Sequence, residues 1–350
     1  MWSNIFYLTL RNQLKKSEPK DANMNKVDVL ENDILQIYPD VLPELLRDHT
    51  TGRNIFWATD DYAELGEGYD FNSEITIEAI TGEHEGIIKP RVLKSRENQK
   101  GRSKKMAEIF TPAWVCNLQI NYVDEVWFDC PNKFNVMSED KRTWKSTTEP
   151  VTFPEGKTWE DYIRSTRLEI TCGEAPYIVS RYDAVTGEFI PLQERIGMLD
   201  RKIRLVNENT STYDEWFDVV QWSYRHIYGY EWQGDSLLLA RENLLVSFIE
   251  YYQARFDKMP SAEEVQSIAY IVSWNLLQMD GLKYVIPNSC SNKEVIVSED
   301  LFGNKKKKTV PCEGCKKNNP HKHNGTYCKV MDWWQGKPIE FVSLLNKNNK

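Results

Sequence analysis

The chain has 350 residues, 41% of them hydrophobic and 27% charged, an ordinary globular composition that suits two or three folding units. Aromatic residues reach 12%, which argues against a long disordered chain. Forty-four Lys and Arg face 52 Asp and Glu, so the formal charge is -8; this excludes a histone-like polyanion binder and confines any nucleic-acid contact to a local basic patch.

In chain order, Met1 to Leu10 (MWSNIFYLTL) lacks a basic leader and a small-residue cleavage site. No apolar run approaches the ~20 residues that span a bilayer. Seven Cys are an odd and low number for a disulfide framework. Together these predict a soluble cytoplasmic protein with no membrane partner. Residues 1–105 read as an N-terminal α+β region. It holds an amphipathic stretch, Val27 to Leu46, interrupted at Pro39 and Pro43, and β-like runs at Asn54 to Trp57 and Glu74 to Ile80, where Ile75 and Ile77 alternate with polar neighbours. The region ends in a basic segment: Lys89, Arg91, Lys94, Arg96, Lys100, Arg102, Lys104 and Lys105.

Residues 106–287 alternate strand-like and helix-like segments, which predicts βα units around a parallel sheet. Leu168 to Thr171 is an apolar run that stops at a Cys-Gly turn, and Ile227 to Glu231 is a second run that ends in an acid. A helix follows with Leu237, Ala240, Leu244, Phe248 and Tyr251 on one face. Ser261 with Glu264 forms a capping box for another, whose stripe is Val265, Ile268, Val272 and Leu276, running into Gln278-Met279-Asp280-Gly281. Residues 288–350 form a loop-rich segment, poorer in apolar residues, with Lys305 to Lys308 and a Cys/His cluster.

Three sites could carry chemistry. The turn from Glu169 to Tyr177 has small residues, Gly173 and Ala175, that let a ligand approach the backbone, although such a turn after a strand is also simply a tight turn. Glu231 at a strand end is placed to accept ribose hydroxyls, and Asp280 after the next helix could meet an adenine edge; alternatively both are cap and turn carboxylates. Cys312-Glu313-Gly314-Cys315, followed by His321, His323 and Cys328, can supply three thiolates and one imidazole to a structural zinc ion, with Cys312, Cys315, His323 and Cys328 as the expected ligands; His321 is an alternative to His323, and solvated free thiols are the alternative to a site. Cys116, Cys130, Cys172 and Cys290 show no ligand spacing.

In combination, these residues resemble the gamma-class adenine-specific (N6) DNA methyltransferases of restriction–modification systems. Phe110-Thr111-Pro112 is similar to the F-T-P element that precedes the cofactor fold. Leu168 to Tyr177 resembles L-E-P-x-C-x-x-G-P-F, with Ile170 for Pro, Ala175 for the second Gly and Tyr177 for Phe. Gly229-Tyr230-Glu231 with Ala240-Arg241-Glu242-Asn243-Leu244 resembles the second motif, and Asn275 to Pro287 the third. About half the chain is covered. The resemblance implies an α/β, Rossmann-like S-adenosylmethionine-dependent fold. In it Glu231 binds ribose, Asp280 with Gly281 and Leu282 the adenine, and Glu169, Cys172, Gly173, Glu174, Ala175 and Tyr177 the methionine moiety. Phe110, with Thr111 and Pro112, and Trp232 would complete the cofactor contacts.

Two departures bear on this expectation. About 60 residues separate Glu169 from Glu231 where about 20 are usual, so an insertion, about 181–215, is expected as a β-rich excursion in which Arg201, Lys202 and Arg204 could touch phosphates. The catalytic (N/D)-P-P-(Y/F) loop has no counterpart, because the chain contains no Pro-Pro pair. The expected fold is therefore incomplete and inactive alone, with an unpaired or covered edge at Leu168 to Thr171 and a second chain supplying the catalytic loop and base-reading domain. Double-stranded DNA is the implied substrate, and the basic segment Lys89 to Lys105 its phosphate contact or, alternatively, a solvated linker. Two other functions fit some residues: a non-catalytic DNA-binding or assembly subunit with a decayed cofactor fold, and a restriction nuclease component using Pro39-Asp40 together with Glu155-Gly156-Lys157.

Overall fold

The computed structural model describes residues 28, 29, 31–95, 99, 101, 102, 110–299 and 305–349. Met1 to Leu10 and, from the basic segment, Arg96, Lys100, Lys104 and Lys105 lie outside the described residues.

Helices α1 (Glu31–Ile37) and α2 (Val41–Leu46) flank Pro39. Pro43 falls in the first turn of α2, where the helix needs no amide donor. The expected strand Glu74 to Ile80 is not one. Phe56 and Glu74 share a single antiparallel bridge, after which Thr76 accepts a hydrogen bond from the Ala79 amide and starts α3 (Ile77–Ile80). A Thr hydroxyl offers the backbone this alternative to a ladder, and here it prevails over the alternating pattern.

Helix α4 (Ala113–Phe128) begins after Pro112. A hairpin of β1 (Asn135–Met137) and β2 (Trp144–Ser146) and then α5 (Trp159–Arg164) lead to β3 (Arg167–Ile170). The stretch expected as a β-rich insertion is instead helical, forming α6 (Met198–Asn209) and α7 (Tyr213–Arg225), with only an isolated Tyr182–Phe189 bridge among the described residues. Its cations are bound within the chain. Arg201 donates to Asp124, Asn117 and Asn121, Lys202 to the carbonyls of Ile163 and Ser165, and Arg204 to Glu208 and the carbonyls of Phe134 and Glu149. Arg201 and Lys202 are buried, which removes them from any surface contact with phosphate.

The chain continues through β4 (Ile227–Glu231), α8 (Gly234–Phe256), α9 (Ala262–Asn275) and β5 (Leu276–Gln278). The Ser261–Glu264 capping box is present, α9 stops at Asn275, and Gly281 opens the turn that follows β5. Strands β3, β4 and β5 form a parallel sheet in that order, with Ile170 beside Tyr230 and Glu231 beside Gln278. Beyond it lie the antiparallel pair β6 (Lys293–Glu299) and β7 (Lys305–Val310), the short α10 (Glu313–Lys317), and the pair β8 (Lys329–Asp332) and β9 (Lys337–Glu340). The architecture is thus mixed α/β with small sheets, one of them parallel, and no closed barrel among the described residues. None of the described helices is long and apolar enough to cross a membrane.

A single apolar cluster runs from Ile34 in α1 to Leu276 in β5, so residues of the first region and of the parallel sheet share one core. Helix α8 lies at its centre and is buried on nearly every face. Its polar residues therefore need internal partners. Arg241 donates to the carbonyls of Leu45, Arg47, Ser273 and Leu276, at the C-terminal ends of α2 and α9. Those ends carry partial negative charge, and the guanidinium binds them both to the start of β5. Asn243, two residues on, donates to the Glu174 carbonyl and so holds the turn after β3.

Strand β3 is the outer strand of the parallel sheet, and no described strand pairs with its other edge. Leu168 and Ile170 are 43% and 63% exposed there. Helix α4 exposes Tyr122, Val123 and Val126 as well.

Candidate functional site

The parallel register brings the ends of β3, β4 and β5 abreast, and with them Glu169, Glu231 and Asp280. The turn after β3 is tightly wound. Thr171, Gly173 and Ala175 all have positive φ, +46°, +53° and +63°. The Ala175 amide donates to the Cys172 carbonyl at 2.7 Å, and the Cys172 amide to the Tyr230 carbonyl at 2.9 Å, which ties the turn to β4. Left-handed backbone at Thr and Ala costs about 1 kcal/mol or more per residue, and Glu169 offsets it by accepting from the Tyr177 and Ile178 amides across the turn. Burial holds the Glu169 carboxyl well above the usual carboxylate range despite those amides, and the charge of Glu231 adds to the shift.

Glu231 bridges the turn and the next helix. One carboxylate oxygen accepts from the Gly173 amide at 2.9 Å, the other from the Trp232 and Gln233 amides at 2.8 and 3.2 Å, where α8 begins. Burial raises its pKa even so. The Phe110 ring lies over Gly173, where an added Cβ would sit 3.6 Å from the ring, and the Arg91 guanidinium stacks on that ring at 5.1 Å. Asp280 accepts from the Leu282 and Lys283 amides and pairs with the Lys283 ammonium at 3.1 Å. Gly281 is required where it stands, since a Cβ there would come within 2.3 Å of the Tyr230 ring. Leu282 points into solvent.

The other expected cofactor residues divide. Tyr177 donates its hydroxyl to Gln119 at the surface, and Trp232 offers its carbonyl to Gln278. Cys172 is buried against Gly229, and its thiol is pushed up by burial and by the charges of Glu169 and Glu231. Glu174 accepts from the Arg91 amide and the Tyr182 hydroxyl. Thr111 and Pro112 lead into α4, whose first amide, that of Ala113, is taken by Asp183. Gln278 was not singled out from the sequence; its amide side chain binds both the N–H and the carbonyl of Phe56 and so anchors the first region beside Glu231.

The described part of the basic segment folds against the protein. Lys94 and Arg102 reach Asp235 in the first turn of α8, at 3.2 and 3.0 Å, and Arg102 also meets Asp61 at 2.8 Å. Burial alone would raise the Asp235 pKa, but these two cations hold it below the usual range. Both side chains are consumed by this network; of the two described lysines in the segment, Lys89 is exposed and Lys94 is not.

A second constellation lies in the C-terminal segment. Cys290, Cys312, Cys315 and His323 place one ligand atom each within 4.8 Å of every other. The Cys290 sulfur is 3.7 Å from that of Cys315, and His323 Nδ1 lies 3.5, 3.7 and 3.6 Å from the sulfurs of Cys290, Cys312 and Cys315. Such a Cys3His group can hold a metal ion. Cys328, expected as a ligand, is not in it. It is buried with its thiol directed at the Gln278 carbonyl, because it leads into β8 and faces the apolar cluster beneath. Cys290 takes its place, 25 residues before Cys315 and therefore beyond any short ligand spacing. His321 is exposed and outside the group.

No family model matches the chain, and neither a curated protein nor a solved structure does.

Proposed function

We propose that the chain is the S-adenosylmethionine-binding part of an adenine-N6 DNA methyltransferase of a restriction–modification system, working with a second chain. The observation that carries this reading is the strand-end arrangement: three parallel strands in chain order, each with an acid within two residues of its C-terminal end, and a left-handed turn after the first whose Gly173 amide faces Glu231. Open α/β sheets bind ligands outside the carboxyl ends of their strands. In this reading Glu231 takes the two ribose hydroxyls, Asp280 the adenine amino group, the Glu169–Tyr177 turn the methionine moiety, and Phe110 the face of the cofactor.

Glu231 already accepts three amide hydrogen bonds, close to the four or so lone-pair positions of a carboxylate. Cofactor entry must then exchange the Gly173 bond for a ribose hydroxyl and move the Phe110 ring off Gly173. The partner in this proposal pairs with the edge of β3 at Leu168 and Ile170 and brings the catalytic loop that this chain lacks. A zinc ion in the Cys3His group completes the cofactor set, with a structural role because four protein ligands leave no position for water.

Calorimetric titration of the full chain with S-adenosylmethionine is the test. Binding should be measurable, and Glu231→Ala and Asp280→Ala should each weaken it about tenfold or more, the worth of a charge-assisted hydrogen bond pair. An absence of binding in the wild-type chain, with DNA binding retained, would select the second reading, a DNA-binding or assembly subunit with a decayed cofactor fold. The internal satisfaction of Glu231 and Asp280 is what favours that alternative.

A further inference from the structure

We infer that a thiophilic divalent ion of the zinc class, held by Cys290, Cys312, Cys315 and His323, staples the turn that carries Asp280, so that metal occupancy sets one wall of the strand-end crevice. Only the identification of that wall as a nucleoside contact rests on the proposed function; the staple itself does not.

The ligand spacing fits the ion. A tetrahedral zinc with sulfur and imidazole ligands has edges of about 3.8 Å between sulfurs and about 3.5 Å between sulfur and nitrogen, from its bond lengths of roughly 2.3 and 2.0 Å. The observed Cys290–Cys315 edge is 3.7 Å, and the three edges to His323 Nδ1 are 3.5 to 3.7 Å. Three soft thiolates and one imidazole select zinc over magnesium or calcium, which prefer oxygen.

The backbone has been shaped to allow it. Gly314, between Cys312 and Cys315, passes so close to His323 that a Cβ would lie 2.6 Å from its amide nitrogen. Gly325 is pressed on the Cys290 loop, where a Cβ would lie 2.5 Å from Ser289 Oγ and 2.8 Å from the Cys290 nitrogen. The Cys312–Cys315 and Cys290 segments thus each approach the His323 segment at backbone distance, which a side chain would prevent.

The segments that bear Cys290 and His323 form a ribbon that ends at Asp280. The Asp280 amide donates to the Val285 carbonyl and the Tyr284 amide to the Asp280 carbonyl. Val285 bridges to Tyr327, the Ile286 amide donates to the Thr326 carbonyl, and the Cys328 amide to the Tyr284 carbonyl. Further out, the Thr326 amide donates to Ser289 Oγ and Ser291 exchanges two hydrogen bonds with Asn324. Cys290 and His323 sit at the outer end of this ribbon, across from each other, and Asp280 at the inner end. Tyr284 and Asn288 hold positive φ, +61° and +59°, within it. A Tyr in that conformation is unfavourable, so the turn needs an external constraint. Apolar packing supplies it at the inner end, where Val285 and Ile286 are buried and the Tyr284 ring stacks on Phe341, but little of it further out: between Ile286 and Cys328 the described buried hydrophobic side chain is Cys312 itself. At that outer end a cross-link through an ion adds order that the ribbon's hydrogen bonds alone do not give.

The test uses the full chain. Purified protein should carry one zinc per chain, and cobalt replacement should give a thiolate-to-cobalt charge-transfer band. Cys290→Ser should weaken the ion about tenfold or more, whereas Cys328→Ala and His321→Ala should keep it. Hydrogen exchange should then rise about tenfold or more at residues 280–291 and 323–328 when the metal is stripped, with α8 unchanged. This readout contains no nucleoside, so a failure to bind S-adenosylmethionine leaves it standing. Substoichiometric metal, cobalt binding unaffected by Cys290→Ser, or unchanged exchange at 280–291 after stripping would overturn the inference.

Discussion

The strand-end crevice and the Cys3His lobe satisfy their polar atoms in opposite ways. In the crevice every expected ligand carboxylate is already bound by the protein: Glu169 by two amides, Glu231 by three, Asp280 by two amides and Lys283. In the lobe the four ligand atoms converge on one another, and the loops that bear them have almost no apolar core. A site that is complete without its ligand keeps its shape and must trade bonds to bind. A site that is incomplete takes its shape from what it binds. The two regions should therefore respond differently to the same insults.

Arg241→Met should have the largest effect. It strands the carbonyls of Leu45, Arg47, Ser273 and Leu276 in the core, which should cost about 3–5 kcal/mol in chemical denaturation whether or not metal is present. Chelation, in contrast, should leave the main unfolding transition in place. A main transition that tracks metal and ignores Arg241 would reverse the comparison.

A smaller effect belongs to three buried acids, Asp28, Glu31 and Glu242. Burial raises Asp28 to about 7 and Glu31 to about 8, and places Glu242 well above the usual carboxylate range. These groups hold protons in the folded state that the unfolded chain releases near its ordinary pKa. The stability they contribute is complete below that ordinary value and is lost as pH rises through about 7 to 8. Melting temperature should accordingly fall between pH 5 and pH 8. Neither carboxylate oxygen of Glu242 has a hydrogen-bond partner among the described residues, so Glu242→Gln should flatten the decline and gain on the order of 1 kcal/mol at pH 8. A pH-independent melting point, or a loss at pH 8 in the variant, would contradict the assignment.

Ile170→Lys should change stability least, within about 0.5 kcal/mol, because the side chain is already 63% exposed. Its use is to sharpen the partner proposal: the variant should retain S-adenosylmethionine binding and lose the second chain in co-purification. A larger destabilisation would mean that the edge of β3 is covered within the chain.

How far the sequence could be read follows from where each element keeps its polar groups. Strand β4 and the capping box of α9 were legible because their signals are local: an apolar run closed by Glu231, and Ser261 with Glu264. Helices α6 and α7 were not, because Asp200, Arg201 and Lys202 lie on the buried side of α6 and disguise its apolar stripe. The same inversion misplaced Lys94 and Arg102, which look like a solvated charge run until Asp235 in α8 supplies their partner from afar. Three of the four Cys3His ligands were readable from spacing. Cys290 was hidden because β6 and β7 loop out between it and the knuckle at Cys312. In each case the missing information was a contact distant in sequence.

The most direct test of the account is a crystal of the full chain soaked with S-adenosylhomocysteine, the product form of the proposed cofactor. The account predicts density over the turn at Gly173, with the ribose hydroxyls on Glu231, the adenine beside Asp280 and the Phe110 ring displaced from its present place. A ligand bound elsewhere, or a crevice in which the Gly173–Glu231 hydrogen bond and Phe110 stand unchanged at saturating ligand, would contradict it.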